Sequence, residues 1–233
     1  MPIFSFHLIT LPFFDGLKLF LFPNSLKNIK GLLHQERMTV MTLGTSLFSP
    51  KRILLNQIAF FAEWENESSL DLFLKKHPFG NLLAKGWYTK LELIRQWGSY
   101  QNIKLSPAQT KNETNDFIVV AITLAKLKIL QVPRFIYWGK PVESLVRDHS
   151  GKILALASIR FPNTVATFSI WKSIQEMTSM VNGNNSVPVP NRHIEAMKER
   201  EKKDFHHEFT TLRFKPISES GEWMGNKNLI FKV

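Results

Sequence analysis

The chain is laid out as short apolar runs separated by polar turns. Runs at residues 3–11, 39–47, 53–64, 87–97, 117–123, 153–159, 165–171 and 205–217 have the length and residue types of strands. Between them lie stretches with helical spacing. Residues 16–30 place Leu17, Leu21 and Leu26 on one side, interrupted by Pro23, with Gly31 as the stop. Behind Ser68 or Asn66 as its cap, a helix carries Leu70, Phe73 and Leu74 as a stripe that ends near His77-Pro78, and a short helix follows through Leu82-Leu83. In the second half, residues 125–138 are broken by Pro133, and residues 141–147 form a short helix with proline in its first turn. Residues 173–180 and 192–203 are the last two helices, the latter behind Asn191 as its cap.

This order says one thing twice. Ala59-Phe-Phe-Ala-Glu-Trp64 and Ala166-Thr-Phe-Ser-Ile-Trp171 carry Ala, Phe and Trp at the same places, 107 residues apart (171 − 64), and each leads into a polar turn and an amphipathic helix. Leu70 and Phe73 then align with Met177 and Met180. Such a spacing is too long for a solenoid repeat and points to a fused duplication. Each copy reads strand, helix, strand, strand, helix, strand, the ferredoxin-like arrangement. The expected fold is therefore α+β, two ferredoxin-like units whose sheets close into a dimeric-type α/β barrel. Residues 1–100 make the first unit, 101–116 a polar linker, 117–225 the second unit, and 226–233 a tail.

Composition narrows the function classes. At 233 residues and 44% hydrophobic, the chain can bury a core, and no apolar run is long enough to span a bilayer as a helix. The apolar start, Pro2 to Phe14, lacks the basic residues of a secretory signal. There is no cysteine, which removes thiolate nucleophiles, iron–sulfur clusters and cysteine-ligated haem, and fits a cytoplasmic protein. A net charge of +11 favours anionic partners, including the inner surface of a membrane. Nucleic acid is the weaker option, because the basic residues are scattered and not interleaved with aromatics. No glycine-rich dinucleotide motif, paired-carboxylate set or Ser-His-Asp set stands out.

Four blocks resemble the spheroidene monooxygenases, a family of carotenoid-modifying haem proteins. They are Leu26-Lys-Asn-Ile-Lys-Gly-Leu32; Ala59 to Trp64 with His77-Pro78; Val165-Ala-Thr-Phe-Ser-Ile-Trp171; and His193-Ile-Glu-Ala196 followed by Arg213-Phe-Lys-Pro-Ile217 and Gly221-Glu-Trp-Met-Gly225. The resemblance runs from about residue 3 to 225 and is stronger in the second half. It implies haem b, molecular oxygen, an external electron donor such as a ferredoxin, and a carotenoid substrate that receives a keto or hydroxyl group. It also places His193 as the iron ligand, with Met197, Arg200 and Trp171 around the cofactor.

On the residues alone those assignments compete with plainer ones. His193, in a first helical turn beside Ile194 and one turn before Met197, is otherwise a surface or capping residue. His206 and His207 start a strand and face opposite sides of it, and His77 fits a helix terminus. No two-histidine helix spacing supports zinc or non-haem iron. Trp64 and Trp171, ending equivalent strands, serve equally as core, as do Met177 and Met180. Arg192 and Arg200 share the His193 helix and could meet haem propionates or simply face solvent. A barrel that binds haem or lipid without catalysis is the alternative to the monooxygenase.

Overall fold

The structure is a computed structural model that describes residues 2–23, 26–46, 49–101, 103, 117–183 and 191–231. The first half runs β1 (Ile3–Thr10), α1 (Phe13–Leu21), β2 (Leu32–Met41), β3 (Ile53–Trp64), α2 (Glu67–Lys76), α3 (Pro78–Leu83) and β4 (Trp87–Ser99). The second repeats that order as β5 (Val119–Leu127), α4 (Val132–Asp148), β6 (Lys152–Arg160), β7 (Thr164–Trp171), α5 (Ile174–Val181), α6 (Arg192–Lys202) and β8 (His206–Ser220). The strands form one closed antiparallel barrel in the order β1-β3-β2-β6-β7-β5-β8-β4. Each half contributes the same 4-1-3-2 sheet, and the two seams join equivalent strands, β2 to β6 and β4 to β8. That pairing is what a two-fold relation between duplicated units requires.

Alternation along each strand sends one set of residues inward and the other outward. Inward, aromatic rings fill the barrel: Phe6 stacks on Phe168 at 3.7 Å, and Phe4 packs on Phe61 and Phe214. Tyr100 and Ile103 close one end of the barrel after β4, and Trp223 and Ile230 close the other after β8. Glu219 ties down the second plug by accepting from the Trp87 indole and from the backbone N–H groups of Leu229 and Ile230. Trp64 and Trp171 are both fully buried, and the helix after each begins on an equivalent cap: Asn66 accepts from the Ser69 N–H, Ser173 from the Glu176 N–H.

Three elements depart from the sequence reading. β2 begins at Leu32, not at residue 39, because its inward-facing residues include His34 and Glu36, which invert the usual apolar signature. Pro133 does not break a helix but sits in the first turn of α4, where a missing N–H costs nothing, and the helix continues through Pro141 to Asp148. α1 starts earlier and ends before Pro23. Asn191 stands at the head of α6 without a side-chain cap bond. Most of the linker at 101–116 and the loop residues 184–190 lie outside the described residues. Among the described residues no helix is long and apolar enough to cross a membrane.

Candidate functional site

The two halves share topology but not the chemistry of their outer sheet faces. Across the first half, one register row reads Arg37, Phe60, His7 and Tyr88. Phe60 is fully buried there, sealed by Phe73 at 6.2 Å and Phe79 at 5.6 Å from the helices above. The corresponding row of the second half, extended across the seam, reads Ala157, Thr167, Thr123, Thr211 and Trp97. Thr167 stands 107 residues from Phe60 (167 − 60), as Trp171 does from Trp64, yet it is exposed although it lies on a central strand. The next row is equally small: Ala155, Ser169 and Ala121, ending in Arg213 and Arg95. Threonine in place of phenylalanine leaves the sheet open at Thr167, while Ala157 and Ser169 are buried and Ala155 and Ala121 pack into the apolar clusters beside them. The hydroxyls of Thr123 and Thr211, 3.3 Å apart, line the floor beside Thr167.

Helix α6 meets this sheet at Phe209. His193, Met197 and Arg200 recur at i, i+4 and i+7 and so share one face. Arg200 lies 3.8 Å over the ring of Phe209, an outward residue of β8, which turns the same face toward the sheet. The helix itself leans on α4, with Arg134 donating to the Glu199 carbonyl. The His193 imidazole is half-buried, and burial pushes its pKa below the ordinary histidine value, opposed by a backbone hydrogen bond at Val181. It is therefore neutral at pH 7, the form that ligates metal.

The remaining sequence candidates separate. Trp171 is fully buried in the core beneath α5 with Val119, Met177 and Met180, its indole N–H donating to Ser169 at 2.8 Å. It packs beside Ala121 and Ser169 of the same sheet face, as Trp64 packs on Phe73 in the first half. Arg200, 3.5 Å from Asp204, is an anchor for α6, and Arg192 pairs with Glu195. His206 is buried and 2.7 Å from Asp204, whereas His207 is exposed. His77 accepts from the Phe79 N–H and caps α3. No group of three metal-binding side chains occurs among the described residues.

Two arginines were not visible in the sequence. Arg95 and Arg213 are paired across the β4–β8 seam, at 4.4 and 4.9 Å from the ring centre of Trp97. Neither has a carboxylate within ion-pair reach among the described residues, and the buried Nε of Arg213 has no partner there. Burial and the neighbouring Arg95 both lower the Arg213 pKa. Two adjacent, uncompensated guanidinium groups beside a small-residue floor are prepared to receive carboxylates. Only the strand register unites them, since they lie 118 residues apart (213 − 95).

A second polar cluster sits inside one barrel end. The Glu36 carboxylate, 2% exposed, accepts from the Tyr100 hydroxyl and the Arg160 Nε, both at 2.9 Å. Its bonds are made within the cluster and join β2 to β6, so it reads as a latch between halves.

No family model matches the chain, and no curated protein matches it in sequence. Solved structures do share its fold. An aldoxime dehydratase crystallised with butyraldoxime is 8% identical over 93% of this chain and 80% of its own, with a TM-score of 0.51. A candidate monooxygenase from Fusobacterium nucleatum is 9% identical over 95% and 94%, at 0.41. A haem-degrading enzyme from Listeria monocytogenes is 11% identical over 91% and 99%, at 0.29. At 8% identity the likeness to the aldoxime dehydratase is one of fold alone.

Proposed function

We propose that this chain is a haem-dependent monooxygenase, resembling the spheroidene monooxygenases, that places a keto or hydroxyl group on a carotenoid. The observation that carries the reading is the open floor at Thr167, where the twin half seals the same position with Phe60. On this reading a flat apolar cofactor would lie between that floor and the face of α6 that bears His193. In this arrangement the neutral His193 ring would ligate the iron, with Met197 beside the cofactor, and Arg95 and Arg213 would hold its carboxylates by charge-assisted bonds. Arg200 braces α6 on Phe209 and Asp204. When bound, haem b supplies the dioxygen activation that side chains lack, with electrons from an external donor such as a ferredoxin. The chain's own work is to orient an apolar polyene beside the cofactor and to keep water out.

Purified protein supplied with haem is expected to show a Soret band that is lost or shifted in His193→Ala. With dioxygen, a reductant and a carotenoid, it is expected to yield oxygenated product. A protein that stays colourless after haem reconstitution overturns the reading. A Soret band without product leaves the non-catalytic haem-binding barrel in its place.

A further inference from the structure

The antiparallel barrel has two ends, and topology assigns every loop to one of them. One end collects the start of β2, the close of β6 and β5, and the connections that follow or precede them. On that rim stand Leu21 and Phe22 at the close of α1, Leu33 at the start of β2, Ile129 and Leu130 between β5 and α4, and Phe161 in the β6–β7 hairpin. All six are exposed, Leu130 at 93% and Phe22 at 64%. Phe20 touches Phe161 at 5.8 Å, so the α1 and hairpin parts of the rim are contiguous. Water-exposed apolar groups concentrated in this way mark a contact surface.

We propose that this rim docks on an anionic lipid bilayer. Two observations favour lipid over a protein partner. The residues sit at element ends and in connections around one barrel end and not on a flat face, so they can enter a bilayer side by side without a matching surface. Lys27, Lys30 and Lys203, on loops of the same end, are exposed and have no ion-pair partner among the described residues, within a chain of net charge +11. Apolar insertion plus a basic fringe is the two-signal combination that holds a protein reversibly at a membrane surface. Docking here does not require haem, so it stands apart from the cofactor reading.

Co-sedimentation of the full chain with phosphatidylcholine vesicles, with and without phosphatidylglycerol, tests the proposal. Binding is expected only with phosphatidylglycerol and is expected to weaken with salt. Phe22→Ser combined with Leu130→Ser and Phe161→Ser should weaken it at least about tenfold, given the area each side chain buries. Phe14→Ser, exposed at 79% at the far end of α1, should leave it unchanged. Because all four positions are exposed, circular dichroism should match the parent. The proposal is overturned if the parent stays in the supernatant with both vesicles. It is equally overturned if the triple variant binds as the parent does, if Phe14→Ser loses as much, or if the rim proves to hold a dimer in the absence of lipid.

Discussion

At the scale of single residues, the fold tolerates groups that an apolar core would reject. His7 is fully buried between Phe60 and Tyr88, and neither ring nitrogen has a partner among the described residues. Burial lowers its pKa from 6.5 to about 3. The unfolded chain therefore takes up the proton first, so the cost is absent above pH 6.5 and grows as pH falls toward 3. His7→Phe removes that cost. Urea denaturation should show the variant gaining about 2 kcal/mol on the parent between pH 8 and pH 5, at about 1.4 kcal/mol per pH unit below the unfolded pKa. An unchanged difference would mean that water reaches the ring. Such residues were only partly legible. His193 announced itself through the motif around it, but nothing local marks Thr167, because a threonine in an apolar strand is ordinary until its twin is seen to be phenylalanine. Arg95 and Arg213 are joined by register alone.

At the scale of elements, the strands with apolar faces were readable to within a few residues, and those with polar inward faces were not. β3 could be bounded from composition because nothing charged interrupts it before Glu63. The start of β2 could not, because His34 and Glu36 turn toward the barrel interior, where Glu36 finds partners in Arg160 of β6 and in Tyr100. α4 was split in two because Pro141 carries no sign, in sequence, that the helix resumes around it. The two equivalent helix starts behaved as the spacing implied, and they give a paired test. Asn66→Ala and Ser173→Ala should each destabilise the protein by about 1 kcal/mol in urea denaturation, since each side chain satisfies one otherwise orphaned N–H. A much larger loss in one half would show that its cap also holds tertiary structure.

At the scale of the whole molecule, duplication followed by divergence of one face organises everything else. The halves are held by the long β4–β8 seam and by a short β2–β6 seam supplemented with side-chain links. Glu36 to Arg160 is one; Arg52 to Glu143, bidentate at 2.6 Å, is another. The barrel interior is filled with rings, so neither half binds a ligand there. What differs is outside: the first half seals its sheet with Phe60, Phe73 and Phe79, and the second exposes Thr167 at the position of Phe60. Haem titration of the parent and of Thr167→Phe, followed by Soret absorbance, tests that difference most directly. The account predicts saturable binding by the parent and a loss of at least tenfold in affinity when phenylalanine fills the floor, equivalent to about 1.4 kcal/mol, with thermal stability unimpaired. Equal binding by both proteins would contradict it.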